Sequence, residues 1–318
     1  MIRFYDSFLQ TLAERYPRKS DLTNALMDVL PLEKESIYRR LRKDVYFTAE
    51  ETMQIANAWN ISLDNTICTN SNKTRPFHLD MIEYVRPQES DYELLEKHNR
   101  ILEVIGRDPD GKIIEVTSTL PRSLYCRSEL LTRFFTMKWL YKYGLPEDAL
   151  PFSDIHIPER IQALDREYID LLHNISEVHK LHDSRFIEYL VDDIVYFHTI
   201  GMVTNDEVTL LRNELLTLID YMVNTATKGY FHSGKRFFFY LSYTWMETEY
   251  FLYESKSLTM SFVTIFGRNS IASFDRKVFD KFMNMAQFVK RSSVQMSESN
   301  ALKQVEFFAN QKNKIMTL

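Results

Sequence analysis

The chain has 318 residues, 45% of them hydrophobic, with 39 basic and 44 acidic residues and a formal charge of −5. That length suits two domains, and the charge balance excludes a protein that is basic throughout and binds nucleic acid or membranes by net charge alone. Its 7 glycines, at 106, 111, 144, 201, 229, 234 and 267, include no closely spaced trio for a dinucleotide-binding turn, and Cys68 and Cys126 are too few for a disulfide framework or a zinc site.

The opening Met1-Ile2-Arg3-Phe4-Tyr5-Asp6 lacks the apolar stretch of a signal peptide, and no window approaches 18 uninterrupted apolar residues. A cytoplasmic protein with no membrane span is therefore expected. Residues 2–16 read as an amphipathic helix with Phe4, Phe8, Leu9 and Leu12 on one side. Ser20 or Asp21 is placed to cap a second helix carrying Leu22, Leu26, Val29 and Leu30, and Pro31 stops it. A third helix, about Lys34 to Arg42, has Ile37 and Leu41 one turn apart. Thr48-Ala49-Glu50-Glu51 has the form of a capping box, opening a fourth helix with Met53, Ile55, Ala56 and Trp59. Asn60 suits a left-handed stop and Ser62 the cap of a short fifth helix. The run from Thr69 to Arg75 holds no apolar residue and leads into Pro76, which makes it the linker candidate. Residues 1–70 thus read as a five-helix bundle and 71–318 as a second domain.

In the second domain, Ile101–Arg107 and Lys112–Leu120 resemble strands joined by Asp108-Pro109-Asp110-Gly111, which predicts a β-hairpin over 101–120. Helical patterns follow over Ser128–Tyr143, Pro158–Leu181, Ser184–Ile200 and Asn205–Lys228, with Gly144, Gly201 and Gly229 just past helix ends. Nine of the 17 residues from Phe237 to Tyr253 are aromatic, and Leu258, Met260 and Phe262 alternate, so residues 236–266 read as strands. Two helices, about Asp275–Lys290 and Ser297–Ile315, close the chain. The expected class is mostly α with an α+β C-terminal part: a helical bundle, then a larger helical domain with a small antiparallel sheet.

Chemistry concentrates in Leu22–Ile67. A short helix, a tight turn and the helix Glu35-Ser36-Ile37-Tyr38-Arg39-Arg40-Leu41-Arg42-Lys43 form the layout of a helix-turn-helix. With Ile37 and Leu41 inward, Glu35, Arg39 and Arg42 share one outer stripe, flanked by Ser36, Arg40 and Lys43. Four of the five residues from 39 to 43 are basic. Arginines so placed can grip guanine O6 and N7 in a DNA major groove. The plain alternative for residues 34–43 is a solvated face of a small bundle. Arg40, off the main stripe, suits a phosphate or a carboxylate as well as a base, and Tyr38 suits packing as well as a phosphate contact.

The strings Ser36-Ile-Tyr-Arg-Arg-Leu-Arg42, Phe47-Thr-Ala-Glu-Glu51 and Ile61-Ser-Leu-Asp64 resemble the phage-repressor/Cro-like helix-turn-helix transcriptional regulators. They are closest to a bacterial subgroup with a large C-terminal domain. The resemblance covers residues 2–68 and implies a lambda-repressor-like DNA-binding bundle. In it Lys34–Lys43 is the recognition helix, and the helix from Asp21 to Leu30 braces it. Three residues depart from the family: Met27 in the brace helix stands where alanine is favoured, Pro31 in the turn where glycine is common, and Lys43 replaces the usual glycine. Met27 bears on the angle between the two helices. The segment from Lys290-Arg291-Ser292-Ser293 through Glu306-Phe307-Phe308 resembles the C-terminal end of the same regulators.

Other signals point elsewhere. Gly229-Tyr-Phe-His-Ser-Gly234-Lys235-Arg236 has the spacing of a phosphate-binding loop, but Arg236 stands where Ser or Thr is needed. A helical pattern precedes it and a strand follows, so a helix cap and loop is the better reading. His179 and His182, read on one helical face, with His173 and Asp183 nearby, suggest a metal site without a defined third ligand. Asp192-Asp193 reads as a solvated helix face, and Cys126 lies in no activating context. The aromatic run 237–253 reads as sheet core, a small-molecule pocket or a subunit interface.

The sequence thus predicts a DNA-binding transcriptional regulator rather than an enzyme, with no catalytic residue, no metal and no cofactor. Its DNA contacts are expected from Lys34, Glu35, Ser36, Tyr38, Arg39, Arg40, Arg42 and Lys43. Double-stranded DNA is the expected partner of a homodimer, because one such bundle makes few phosphate contacts and the remainder is acidic. Room is left for an unknown small-molecule effector. Two alternatives stay open: a ligand-binding or protein-interaction module whose helix-turn-helix does not bind DNA, and an enzyme in 71–318 with an appended regulatory bundle.

Overall fold

The computed structural model describes residues 4–59, 61, 63, 66, 77–145, 148–244, 246–297 and 301–318. It divides into two units, Met1–Pro76 and Phe77–Leu318. In the first, four helices are described: α1 (Phe4–Arg15), α2 (Lys19–Val29), α3 (Lys34–Leu41) and α4 (Ala49–Trp59). Their apolar residues, three and four apart, meet in one core formed by Phe8 and Leu12, Leu22 and Leu26, Ile37, and Ile55 and Trp59, completed by Leu30 and Phe47 from the connections. Burying each such side chain stabilises the bundle by roughly 1.5–3 kcal/mol.

The local signals at helix ends act unevenly. Leu30 is extended, as a residue before proline must be, so α2 stops at Val29. The Thr48–Glu51 capping box closes in both directions: the Glu51 amide donates to Thr48 Oγ1 (3.1 Å) and the Thr48 amide to Glu51 Oε2 (2.9 Å). The expected cap at Ser20 or Asp21 is not used. Helix α2 begins at Lys19 with Arg18 at the cap position, and Ser20 donates to Asp21 instead. Phe4 and Met53 were expected to face inward, but both are exposed; Thr52 turns inward in place of Met53. Asn60, Ser62 and the run Thr69–Pro76 lie outside the described residues, as does most of the expected fifth helix.

The second unit is an α+β structure, not a helical domain with a small sheet. Among the described residues its eight strands form one mixed sheet in the order β1-β7-β6-β5-β2-β3-β4-β8. The strands are β1 (His78–Asp80), β2 (Lys112–Thr117), β3 (Glu177–Asp183), β4 (Arg236–Ser242), β5 (Tyr250–Glu254), β6 (Thr259–Ile265), β7 (Asn269–Ser273) and β8 (Val294–Gln295). The helices are α5 (Glu89–Arg107), α6 (Arg122–Tyr125), α7 (Glu129–Tyr143), α8 (Glu159–His173), α9 (Phe186–Thr199), α10 (Asn205–Lys228), α11 (Arg276–Ser292) and α12 (Ala301–Ile315). Strands β2, β3 and β4 run parallel, which requires helical crossovers; α6–α8 and α9–α10 supply them. Strands β5, β6 and β7 form an antiparallel meander beside β2.

Because side chains alternate along each strand, the sheet has two differently covered faces. Ile113, Val178, Phe237, Phe239, Leu241, Tyr253 and Phe262 pack beneath α5, α7–α10 and α12. Ile114, Val116, Leu181, Phe238, Tyr240 and Leu252 face the opposite way, against Phe279 and Ala286 of α11. Phe237, Phe238, Phe239, Tyr240, Tyr250 and Tyr253 of the aromatic run are therefore sheet core, shared between the two faces, whereas Tyr243 is exposed, and Phe251 and Tyr253 also line a cavity.

Two sequence expectations fail here. The hairpin over 101–120 is instead the end of α5 followed by β2. Asp91, Leu95, Asn99, Leu102 and Ile105 are buried at helical spacing, and this longer period overrides the β-branched character of Ile101–Ile105. The turn chemistry of 108–111 joins helix to strand: the Asp110 amide donates to Asp108 Oδ1 (2.9 Å), and a Cβ on Gly111 would lie 2.1 Å from the Ile105 carbonyl oxygen. Likewise the helix expected to reach Leu181 ends at His173, and Glu177–Asp183 forms β3. That strand was disguised because its buried face carries Lys180 and His182 rather than two apolar residues.

Candidate functional site

In the first unit, α3 follows α2 after the four-residue connection Leu30–Glu33. Ile37 is fully buried and Leu41 half-buried, which turns Lys34, Glu35, Arg39 and Arg42 to solvent, with Ser36 and Tyr38 half-exposed. The Tyr38 ring lies beneath two cations of the same face, Lys34 Nζ at 6.0 Å and the Arg42 guanidinium at 5.8 Å. Cations at i−4 and i+4 thus stand over one ring, an arrangement that keeps both side chains extended over the helix surface. Lys34, Arg39 and Arg42 have no ion-pair partner among the described residues. Met27, 42% exposed, points to solvent and does not wedge between α2 and α3, so the angle between them is set by Leu26, Leu30 and Ile37.

Arg40 behaves differently. Its Nε and Nη2 grip the two oxygens of Glu51 (2.9 and 2.7 Å), and Nη1 donates to the Ser36 carbonyl (3.1 Å). Burial pushes the Glu51 carboxyl up, but the Arg40 hydrogen bonds and the Thr48 amide outweigh it and hold it below its usual value. Arg40 is therefore a strut between α3 and α4, its guanidinium taken by a carboxylate, one of the three partners the sequence left open for it. The sequence pointed to Glu51 only as a capping residue. It gave no sign that Tyr5 ties the end of α3 down, donating to the Arg40 carbonyl (3.0 Å) and accepting from the Phe47 amide (3.2 Å).

Lys43 adopts the left-handed backbone conformation that favours glycine, with φ of 68°. The Asp44 amide donates to the Arg39 carbonyl (2.9 Å) and the Lys43 amide to the Arg40 carbonyl (3.0 Å), the two bonds of a Schellman helix end. Its ammonium group pairs with Asp6 at the surface, where both side chains stay partly exposed.

The other sequence signals separate in space. Gly229 is the left-handed cap of α10, and Gly234 (φ 80°) sits in the turn leading to β4, the reverse of a strand–loop–helix phosphate site. His179 and His182 do not share a helical face, because β3 puts them on opposite sides of the sheet. His179 stacks on Phe238 (ring centroids 4.4 Å apart) near Glu177, whereas His182 Nδ1 lies 3.0 Å from Thr117 Oγ1. Burial, then Lys290, lowers the His179 pKa to about 4; burial, then Arg127, lowers that of His173 to about 3. Among the described residues no group of three His, Cys, Asp or Glu is arranged to hold a metal ion. Cys126 is buried, which pushes its thiol up to about 12 and makes it unreactive near neutrality.

The second unit contains a cavity of about 130 Å³ between α5 and strands β5–β7. His98, Tyr125, Tyr168, Phe251, Tyr253 and Phe262 are among its walls, with Arg122, Ser123 and Arg268. Burial, then Arg122, drives the His98 pKa down to about 3, so its ring is neutral, and Nε2 lies 3.0 Å from the Tyr253 hydroxyl. Arg122 donates to Asp165 through Nε (3.0 Å) and Nη2. Ser123 belongs to a fully buried cluster: its hydroxyl donates to Glu115 Oε2 (2.8 Å) and accepts from Lys180 Nζ (2.6 Å), which also pairs with Glu115. Glu115 and Lys180 are brought opposite each other by the parallel register of β2 and β3. Of these positions, Phe251 and Tyr253 carried a sequence signal, as part of the aromatic run 237–253; Glu115, Arg122, Ser123, Lys180 and Arg268 carried none.

Comparison with protein-family models, with curated proteins and with solved structures finds no match for this chain. Any functional reading therefore stands on the residues themselves. No described helix is long and apolar enough to cross a membrane.

Proposed function

We propose that the protein is a sequence-specific, DNA-binding transcriptional regulator that enters the major groove with α3. One observation carries this reading. In a run of basic residues that follows a helix-turn-helix connection, Arg39 and Arg42 are exposed and lack an ion-pair partner among the described residues, while Arg40 beside them is locked to Glu51. A solvated face kept only for solubility has no need to hold two unpaired arginines over a rigid, internally braced helix. Groove recognition has that need, because a bidentate guanidinium must be presented on a firm backbone.

In this reading Arg39 and Arg42 contact bases or phosphates, Glu35 and Ser36 lie at the N-terminal end of α3 where base edges are reached, and Lys34 and Lys43 contact phosphates. Tyr38 supports its neighbours and Arg40 holds the helix. A bundle with so few free cations, in a chain of net charge −5, gains useful affinity from two copies. The reading therefore includes a homodimer on half-sites about 34–36 Å apart. The test is selection of bound duplexes from random DNA by the full-length protein. Enrichment of a two-fold-related sequence supports the reading; recovery of no enriched sequence refutes it.

A further inference from the structure

Arg268 presents a cation that the fold holds without an ion-pair partner among the described residues. It lies in the turn between β6 and β7, in the wall of the 130 Å³ cavity and of an adjoining cleft of about 480 Å³. Its guanidinium carbon stands 3.6 Å from the centroid of the Tyr84 ring and 5.8 Å from that of Tyr125. Nη1 donates to Thr136 Oγ1. Nε is shielded from solvent and has no acceptor, and no carboxylate lies within ion-pair distance among the described residues. Arg122, in the same cavity wall, shows the contrast: Asp165 takes its Nε and Nη2. Two rings and a threonine thus hold Arg268 in place, and among the described residues no acceptor takes its Nε or Nη2, the atoms that form two parallel hydrogen bonds with a carboxylate.

The rest of the cavity specifies what such a carboxylate would be attached to. Phe251, Tyr253 and Phe262 supply flat apolar walls, and the His98–Tyr253 pair adds one neutral polar patch. The volume suits a single ring, since an apolar cavity of about 150 Å³ accommodates benzene. Glu249, also in the wall, already accepts from the amides and hydroxyls of Ser118 and Thr119 through Oε1. One guanidinium without a carboxylate partner among the described residues fits one anionic group.

We propose that this cavity is a binding site for a small aromatic monocarboxylate, its ring among the aromatic walls and its carboxylate on the guanidinium of Arg268. The site lies within the second unit and does not depend on the DNA-binding reading. Calorimetric titration of the full-length protein with phenylacetate, and with uncharged phenylacetamide of the same shape, tests it. The expected result is saturable binding of phenylacetate at one site per chain, with the amide at least about tenfold weaker. Arg268→Gln should weaken phenylacetate about tenfold and change phenylacetamide binding little. Equal binding of acid and amide, no binding of the acid, or unchanged acid binding in a folded Arg268→Gln protein would each overturn the proposal. Should Arg268→Gln fail to fold by circular dichroism, the comparison of acid with amide on the wild type decides alone.

Discussion

Helix α3 and the polar cluster under α6 handle charge in opposite ways. On α3 and at its C-terminal end, Arg39 and Arg42 are solvated and have no ion-pair partner among the described residues, over a core of Ile37 and its neighbours. In the second unit, Glu115 and Lys180 are removed from solvent and matched to each other and to Ser123. A buried charge without its partner destabilises a fold by several kcal/mol, so pairing there is a condition of folding. An exposed arginine is hydrated at little cost and needs no partner within the chain. The contrast separates charges that hold the structure from charges free to meet another molecule, and Arg40 and Arg268 show that neither sequence position nor burial alone makes that assignment.

The largest effect should come from the buried pair. Lys180→Met leaves Glu115 without its counter-charge and is expected to destabilise the second unit by about 3–5 kcal/mol in denaturant unfolding. A change within about 0.5 kcal/mol would place the pair among the dispensable charges and erase the comparison. Next, Arg40→Ala removes the bidentate bond to Glu51 and should destabilise the first unit by roughly 1.5–3 kcal/mol. Its pH dependence has a defined sign. The Glu51 carboxyl is depressed in the folded chain, so its stabilisation is full above the ordinary value of 4.5 and fades as the pH falls through the lower folded value. Glu51→Gln should flatten the acid limb of stability in that range.

Arg39→Ala should do the reverse of Arg40→Ala, leaving stability within about 0.5 kcal/mol and removing about 1–3 kcal/mol of base discrimination at one position of the selected duplex. Uniform weakening over all sequences would make Arg39 a phosphate contact. The smallest effect is expected at Lys43. Relief of its left-handed backbone by Lys43→Gly should stabilise the first unit by up to about 1 kcal/mol, reduced by loss of the exposed pair with Asp6. Thermal unfolding of the two proteins side by side measures it, and a clear loss of stability would mean that the Asp6 pair outweighs the strain.

The first unit was legible because its determinants are local. The Leu22–Leu26 and Ile37–Leu41 spacings, Pro31 and the Thr48–Glu51 box each act within a few residues. What stayed hidden there is non-local: Tyr5 reaching the Arg40 carbonyl across 35 residues, and Glu51 taking Arg40 across 11. In the second unit the same limit acts more severely. Glu115 and Lys180 are 65 residues apart and opposite only because β2 and β3 pair in parallel. A lysine and a histidine on a buried strand face erased the apolar alternation by which β3 could be recognised. Arg268 and Tyr84, 184 residues apart, left no trace in the chain pattern, so the cavity emerges only from the assembled sheet.

The central claim is that α3 reads DNA through its unpaired arginines. Its most direct test is a titration of full-length wild type and of the double variant Arg39→Ala with Arg42→Ala against a selected duplex and a scrambled one at fixed salt, followed by fluorescence anisotropy. The account predicts that the wild type prefers the selected duplex and that the folded double variant loses most of that preference. Equal preference in the two proteins would contradict it.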